Sequence, residues 1–309
     1  MTIRLGIQIP NFSYGTGVPE LFPTVIAQAQ EAEAAGADAV FVMDHFYQLP
    51  NLGKPEEPML EAYTALGALA NATQRVQLGT LVTGNTYRNP TLLAKAITTL
   101  DVISQGRAIL GIGTGWFELE HDSLGYEFGT FTDRFNKLDE ALEIILPMLR
   151  GERVTVSGKY YRTNEAFAIP RFRDHIPLMI GGSGEKKTIP LAAKHFDHLN
   201  VIAGFDELPR KIQVVNEACE KIGRDPATLE TSMLVFGLID DNITEDFIPD
   251  DVRQRAVWGS ADQIADQIKT KVLDAGVDGV ILSPVTHLDG YHPGRITAVT
   301  EVLRPLLGG

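Results

Sequence analysis

Residues 35–40 read Ala-Gly-Ala-Asp-Ala-Val, and residues 275–280 read Ala-Gly-Val-Asp-Gly-Val. In each stretch a helical pattern ends, a glycine takes the position after the helix, and an aspartate leads into an apolar run typical of a buried strand. Between these two junctions, short apolar runs alternate with longer helical patterns. This order is expected of parallel strands that are joined by helices.

Eight strand–helix units can be counted in this alternation. The predicted strands are residues 3–9, 39–43, 76–82, 108–113, 178–180, 199–202, 231–236 and 279–282. The predicted helices are residues 19–35, 61–72, 91–103, 134–149, 186–195, 206–222, 261–275 and 294–307. Asn89 and Pro90 mark one helix start, because asparagine is a good cap and proline suits the first turn. Eight units in 309 residues predict an α/β fold, a (β/α)8 TIM barrel, in preference to a doubly wound sheet.

One stretch after the fourth unit breaks the alternation. Residues 154–161 read Val-Thr-Val-Ser-Gly-Lys-Tyr-Tyr, which predicts a small β-hairpin insertion at about residues 151–175. We therefore expect a single barrel domain over residues 1–309 that carries this one insertion.

The composition limits the classes of function. The chain is 44% hydrophobic and 22% charged, which is ordinary for a soluble globular protein and too apolar for a disordered one. A net charge of −13 disfavours non-specific binding of nucleic acid. The single cysteine, Cys219, excludes an internal disulfide framework and a cysteine-based zinc cluster. Without a signal-peptide pattern or an apolar run of about 18 residues, we expect a cytoplasmic protein with no membrane partner.

Two glycine-rich turns follow predicted strands, at the end of a TIM barrel where chemistry takes place. They read Gly-Ile-Gly-Thr-Gly at 111–115 and Gly-Gly-Ser-Gly at 181–184. Glycine lets backbone N–H groups approach a phosphate closely, and a helix N-terminus adds a favourable dipole. The turns predict an anion cradle, with Lys186 and Lys187 on the first turn of the next helix. The alternative is that the glycines only relieve crowding at the rim.

His45 follows an apolar strand and Asp44 at the same rim. Because imidazole titrates near neutrality, we interpret His45 as functional rather than structural. Trp116 ends another strand and is either a stacking wall for a ligand or a cover for the core. The histidines lack the spacing of a metal site, and the chain has no Gly-x-Ser-x-Gly elbow, so we expect neither metal-assisted nor nucleophilic hydrolysis.

Four stretches, extended by three single residues, carry a family resemblance over essentially the whole chain: residues 6–10, 35–45, 78–84 and 107–116, with Glu118, Glu120 and Gly125. Through them the chain resembles the bacterial luciferase-like superfamily, and within it the oxidoreductases that use the deazaflavin coenzyme F420. The resemblance implies hydride transfer between this coenzyme and a small organic substrate, and a homodimer. The alternatives are an FMN-dependent luciferase-like monooxygenase and a catalytically silent flavin-binding barrel.

The resemblance also implies the residues of the site. Asp44 and His45 would lie against the cofactor ring and the substrate. We expect His45 to donate or accept the proton that accompanies the hydride, or to stabilise charge on the substrate oxygen, and Asp44 to orient His45 or hydrogen-bond the ring. The cofactor-binding residues that it implies are Leu81, Val82, Thr83, Asn85, Thr114, Gly115, Trp116, Glu118, Gly181, Gly182 and Ser183, of which the last three would bind phosphate. A non-proline cis peptide bond is expected between Leu81 and Val82. Sugar-phosphate dehydrogenases of this branch have a glutamate acid at the position of Trp116, so Trp116 favours an apolar or planar substrate.

Overall fold

Parallel strands form a closed barrel in the computed structural model, which describes residues 3–248, 250–285 and 290–308. The strands are β1 (Leu5–Ile9), β2 (Ala39–Val42), β3 (Gln77–Thr80), β4 (Thr83–Gly84), β5 (Ala108–Gly113), β6 (Leu178–Gly181), β7 (His198–Val201), β8 (Glu230–Ile239), β9 (Ala256–Gly259) and β10 (Gly279–Pro284). Eight of them pair in the order β10-β1-β2-β3-β5-β6-β7-β8, and β8 pairs with β10 to close the ring. The predicted (β/α)8 barrel is confirmed.

Helices connect the strands. They are α1 (Val18–Ala34), α2 (Ala62–Ala72), α3 (Pro90–Ile103), α4 (Glu118–Leu124), α5 (Phe131–Leu149), α6 (Thr188–His195), α7 (Leu208–Lys221), α8 (Asp250–Arg253), α9 (Ala261–Ile268) and α10 (Arg295–Leu303). The predicted cap is present, since the Asn89 side chain accepts the N–H of Thr91 at 3.0 Å. Gly36 and Gly276 have φ values of +93° and +90°, a conformation that favours glycine. Both helix-to-strand junctions are therefore built as predicted.

Several predicted boundaries are wrong by one turn or less. The strand predicted over residues 76–82 ends at Thr80, because a cis peptide bond joins Leu81 and Val82 before the chain pairs with β5 as β4. That cis bond lies where the family resemblance implied it. Lys186 and Lys187 precede α6 rather than forming its first turn. The last two helices continue as a π-helix over Lys269–Leu273 and a 3-10 helix over Arg304–Leu307.

Two elements near the carboxyl ends of the strands were not predicted. Helix α4 has seven residues, which is too short for a clear helical period in the sequence. Strand β8 extends to Ile239, and β9 pairs in parallel with its end after an excursion through residues 240–255. Helix α4, strand β8 and the excursion before β9 contribute side chains to the cavity described below.

The region predicted as a β-hairpin contains two isolated antiparallel bridges. Val154 pairs with Ala166, and Ser157 pairs with Arg162. The backbone groups of Val154 and Ala166 exchange hydrogen bonds of 2.9 and 3.0 Å. The pairing direction is that of a hairpin, but the two bridges do not form a continuous ladder.

Alternation along the strands separates the barrel interior from the helical layer. A cluster of buried side chains fills the interior at one level: Ile3, Ala39, Phe41, Ile109, Met179 and Ile281. Their neighbours in sequence, such as Val40 and Leu110, belong to the larger core between the barrel and the helices. Gly111 on β5 and Gly181 on β6 lie two positions after interior residues of the same strands. Because side chains alternate along a strand, these two positions also face the interior, nearer its carboxyl end. The barrel interior is thus filled by side chains towards the amino-terminal ends of the strands and leaves space at their carboxyl ends.

The amino-terminal end of the barrel is held by aspartates that precede strands. Asp38, before β2, accepts the N–H groups of Arg4 and Leu5 at 2.9 Å each. In the same way Asp278, before β10, accepts the N–H of Thr231 at 2.9 Å. These are the aspartates of the two repeated junctions, and each one satisfies the first N–H groups of a neighbouring strand. Their role is to secure the strand ends.

Candidate active site

A cavity of about 590 Å³ opens at the carboxyl ends of the strands. Most of the residues that the family resemblance implied line it: His45, Leu81, Val82, Thr83, Thr114, Gly115, Trp116, Gly181, Gly182 and Ser183. These residues come from the ends of β2, β3, β4, β5 and β6, so the barrel brings together segments that are more than 130 residues apart in sequence. The cavity is therefore where a ligand can meet both glycine-rich turns at once.

Three residues implied by the resemblance do not line this cavity. Asn85 is fully buried behind it, and Asp44 is only 2% exposed. Glu118 is exposed at the start of α4. Binding roles for these three residues stay predictions without support from the cavity geometry.

His45 is held on its Nδ1 side by a carboxylate from α4. The distance from His45 Nδ1 to Glu120 Oε2 is 3.0 Å, and the Glu120 side chain is fully buried. The other oxygen of Glu120 accepts the N–H groups of Phe46 and Tyr47, the latter at 3.1 Å. The His45 ring itself is 13% exposed and lies on the cavity wall. The hydrogen bond on Nδ1 leaves Nε2 as the ring nitrogen available for a ligand.

Asp44 does not orient His45, which corrects one of the two roles expected for it. Its carboxylate binds the Arg88 guanidinium at 2.8 Å through Nε and at 2.5 Å through Nη2, and it also accepts the N–H of Gly84. Burial raises the pKa of Asp44, whereas the hydrogen bonds from Arg88 act to lower it. Arg88 also pairs with Glu61 at 2.6 Å. Asp44 thus anchors the segment after β4 from behind the cavity wall.

The turn after β6 presents backbone donors. The N–H of Gly182 is used, since it donates to the carbonyl of Asn200 at 3.0 Å. The N–H groups of Ser183 and Gly184 have no acceptor within the described part of the chain. Gly182 has a φ of +143°, a backbone conformation that residues other than glycine rarely adopt. A turn with free N–H groups next to a helix N-terminus is suited to hold a phosphate.

Glycines on the inner face make room for the cavity. An added Cβ at Gly113 would lie 2.9 Å from Cγ2 of Val82, and one at Gly181 would lie 3.1 Å from the same atom. Val82 lines the cavity and packs over both glycines. Larger residues at these two positions would push Val82 into the cavity, which explains why this part of the strand ends is glycine-rich.

A cationic side chain that the sequence analysis missed stands on another part of the wall. Arg255 lines the cavity, and its guanidinium lies 5.5 Å from the centre of the Phe236 ring. In residues 3–248, 250–285 and 290–308 this guanidinium has no carboxylate or hydrogen-bond partner. Partial burial lowers the pKa of Arg255, and guanidinium still remains protonated at neutral pH. An unpaired, partly buried cation in a cavity is a candidate group for binding an anion or a carbonyl oxygen.

Trp116 stands on the cavity wall, which is one of the two interpretations given to it. It lines the cavity, with its ring centre 5.7 Å from that of His45 in an edge-on arrangement. It is also 59% exposed, so it is a rim residue rather than a cover for the core.

The cis peptide bond is held by a side chain of β1. Gln8 donates a hydrogen bond of 3.3 Å to the carbonyl oxygen of Leu81.

The sequence contains little indication that Glu120 and Arg255 belong to the site. Glu120 is 75 residues from His45 and lies on the short helix α4, and it had entered only as an extension of the family resemblance. Arg255 follows an irregular excursion whose sequence shows neither helical nor strand periodicity. Only the fold shows that these two side chains reach the cavity.

Comparison with known proteins agrees with this architecture. The family model of the luciferase-like monooxygenases matches residues 3–246. The chain belongs to this family. An F420-dependent secondary alcohol dehydrogenase, solved in complex with an F420-acetone adduct, superimposes with a TM-score of 0.84 at 21% identity and covers 100% of both chains. At that level of identity the likeness shows the shared fold.

Two curated relatives are similar in sequence. An F420-dependent glucose-6-phosphate dehydrogenase of Nakamurella multipartita is 35% identical over 231 residues, which cover 72% of this chain and 66% of the relative. An F420-dependent hydroxymycolic acid dehydrogenase of Mycobacterium tuberculosis is 30% identical over 237 residues, which cover 74% of this chain and 64% of the relative. This family member therefore spans slightly less than two thirds of the length of these relatives.

The described residues include neither a membrane-spanning helix nor a metal-binding cluster. Neither α1 nor any other described helix has the length and apolar character needed to cross a bilayer. No cluster of three or more histidine, cysteine or acidic side chains is arranged to hold a metal ion in the same part of the chain.

Proposed function

We propose that this protein is an oxidoreductase that transfers a hydride between the deazaflavin coenzyme F420 and a small organic substrate. The observation that carries the proposal is the cavity in which His45, the turn at Thr114–Trp116 and the turn at Gly181–Ser183 meet. The names of the sequence relatives support the choice of this coenzyme. A phosphorylated tricyclic ring needs an anion cradle, an open barrel mouth and a proton-transfer group, and this cavity has all three.

The residues present fit such a cofactor. The free N–H groups of Ser183 and Gly184 suit a phosphate, and the absence of side chains at Gly113 and Gly181 leaves space above the barrel floor. The coenzyme, when bound, supplies the hydride chemistry, whereas the protein supplies orientation and electrostatics. Leu81, Val82 and Thr83 line the cavity, and Val82 packs against Gly113 and Gly181 of the two glycine-rich turns.

His45 moves the proton in this proposal. Its Nε2 has no hydrogen-bond partner among the described residues, and its ring lies on the cavity wall. Oxidation of an alcohol releases a hydroxyl proton, which Nε2 accepts as the carbon loses its hydride. In the reverse direction Nε2 returns that proton to the carbonyl oxygen.

The cavity favours a substrate with an apolar or planar body and one polar or anionic group. Trp116 and Phe236 offer aromatic surface, and Arg255 is the one guanidinium or ammonium group on the described wall. We infer that Arg255 binds the polar group of the substrate. A single cation is better matched to a carboxylate or carbonyl than to a phosphate dianion, which is commonly held by several donors.

The second candidate is an FMN-dependent monooxygenase, which the description of the family favours. Both FMN and coenzyme F420 are phosphorylated tricyclic molecules, so the same cradle can accept either. A catalytically silent flavin-binding barrel is the remaining alternative, since a fold does not ensure an activity.

Titration of both cofactors into the purified protein separates these candidates. We expect coenzyme F420 to bind more tightly than FMN, with a change in its absorbance and blue fluorescence, and to turn over with a member of a panel of alcohols, aldehydes and enones. Tighter binding of FMN, with oxygen consumption in its reduced form, would instead establish the monooxygenase. Tight binding without turnover of any panel member would identify the silent barrel.

Three further expectations stay proposals. We propose a cytoplasmic protein, a single domain over the whole chain and a homodimer, the last on the family resemblance alone. Light scattering coupled to size exclusion tests the dimer, which has about twice the 33.8 kDa mass of the chain.

A further inference from the structure

The cavity wall contains a side chain for which the proposed function gives no role. Glu120 is fully buried, lies on α4, and has one oxygen 3.0 Å from His45 Nδ1. It does not pair with an arginine or lysine in the described part of the chain. Its hydrogen-bond partners are the imidazole and the N–H groups of Phe46 and Tyr47, the two residues that follow His45.

We propose that Glu120 is a positioning residue that keeps the proton of neutral His45 on Nδ1 and directs the lone pair of Nε2 into the cavity. The proposal deepens the proposed function, because it rests on His45 as the proton-transfer group. A buried carboxylate accepts hydrogen bonds and cannot donate one when ionised. The nitrogen that faces it must therefore carry the proton, which leaves the other nitrogen as the acceptor.

The hydrogen bonds to Phe46 and Tyr47 make this arrangement rigid. Since both donors belong to the backbone next to His45, the carboxylate, the loop and the ring are fixed relative to one another. The edge-on contacts of the imidazole with Trp116 and Phe117, at 5.7 and 5.9 Å between ring centres, restrict its rotation further. Glu120 thus determines both the position of the ring and its tautomer.

Other titratable groups near His45 are engaged elsewhere. Asp44 is paired with Arg88. His121, the next residue on α4, uses Nδ1 with the carbonyl of Phe117 and Nε2 with the hydroxyl of Thr86. Tyr87 also lines the cavity, and burial raises its pKa well above the usual value, so it stays neutral. Glu120 is therefore the carboxyl group in direct contact with the imidazole.

Glu120→Gln is the matched variant that tests the proposal. The Gln oxygen can still accept the N–H groups of Phe46 and Tyr47, but its amide nitrogen then faces Nδ1 as a donor. Neutral His45 is forced to carry its proton on Nε2 and can no longer accept one from an alcohol. Asp122→Asn, an exposed carboxylate-to-amide change on the same helix, is the control.

The first measurement is ¹⁵N NMR of the imidazoles in the cofactor-free protein, with His45 assigned through His45→Gln. We expect neutral His45 to be protonated at Nδ1 in the wild type and in Asp122→Asn, and at Nε2 in Glu120→Gln. A wild-type His45 protonated at Nε2, or a Glu120→Gln spectrum with the wild-type tautomer, would overturn the proposal. The wild-type spectrum decides the matter even if Glu120→Gln does not fold.

The second measurement is the rate of turnover with coenzyme F420. We expect Glu120→Gln to lower kcat by about 10²-fold with little change in KM, as loss of a positioned base predicts. Glu120→Asp keeps a carboxylate acceptor at this position and should retain more of the wild-type kcat. A wild-type kcat in Glu120→Gln would contradict the proposal. If the NMR result is as expected but the wild type shows no turnover, the proposed function fails and the positioning role stands.

Discussion

The two ends of the barrel treat their polar groups in opposite ways. At the amino-terminal end, Asp38 is saturated by the N–H groups of Arg4 and Leu5 and by Arg304, with four contacts of 2.9 Å. At the carboxyl end, Nε2 of His45, the guanidinium of Arg255 and the N–H of Ser183 have no hydrogen-bond partner among the described residues. Polar groups whose hydrogen bonds are all made within the protein stabilise the fold. Polar groups without a hydrogen-bond partner in the protein are those that can bind a ligand.

A second carboxylate shows the same saturation at the amino-terminal end. Glu33 accepts the N–H groups of Gln74, Arg75 and Val76, which lead into β3. Burial alone would raise its pKa, but these hydrogen bonds outweigh it and lower the pKa below the usual 4.5. The ionised form is therefore part of the folded state.

The largest effect expected from this contrast is on turnover at the carboxyl end. His45→Ala removes the proposed proton-transfer group and should lower kcat by about 10²–10⁴-fold with coenzyme F420, while cofactor binding by fluorescence titration is retained. Circular dichroism should show a folded protein, because the ring lies on the cavity wall and is not part of the main core. Turnover of His45→Ala at the wild-type rate would show that His45 does not transfer the proton.

A smaller effect is expected on substrate binding at the same end. Arg255→Met should raise KM for the best substrate of the panel by about 10- to 100-fold, since a hydrogen bond to a charged group contributes about 1.5–3 kcal/mol. Arg255→Lys should recover part of the loss. Arg150→Met serves as the control, because Arg150 forms an exposed pair with Glu152 far along the chain from the cavity residues. Equal KM values for Arg255→Met and the wild type would show that Arg255 does not contact the substrate.

At the amino-terminal end we expect a change in stability without a change in kcat. Glu33→Gln should lower the free energy of unfolding at pH 7 by about 1–3 kcal/mol, because three N–H groups lose a charged acceptor. A carboxyl whose pKa is lowered by folding stabilises the protein above its unfolded pKa of about 4.3 and loses that contribution as the pH falls through the folded pKa. The difference between wild type and variant should therefore shrink below about pH 4.

Urea unfolding at a series of pH values measures this difference. A gap between wild type and Glu33→Gln that stays constant down to pH 3 would show that the ionised carboxylate does not contribute. A large loss of kcat in a folded Glu33→Gln would contradict the separation of the two ends.

The sequence predicted many of the strands, helices and turns because the signals for them are local. Helix caps such as Asn89, glycines such as Gly36, and apolar periodicity act over a few residues, so they are visible in the sequence. The glycine-rich turns at 111–115 and 181–184 were visible for the same reason, and both line the cavity. Local signals were weaker where an element was short, as in α4, or irregular, as in the excursion that leads to Arg255.

The roles of the two carboxylates around His45 show where local reasoning stops. Asp44 is adjacent to His45 in sequence and was expected to orient it, yet both residues follow the end of β2, and the Asp44 side chain binds Arg88 instead. Glu120 is 75 positions away and makes the contact.

The amino-acid sequence by itself determined the eight strand–helix units of the barrel and their order, because periodicity and end signals are written residue by residue. Which side chains share the cavity was decided by closing the ring of strands. A hydrogen bond of 3.0 Å between His45 and Glu120 depends on how β2, β5 and α4 are placed relative to one another, and no pattern along the chain encodes that distance.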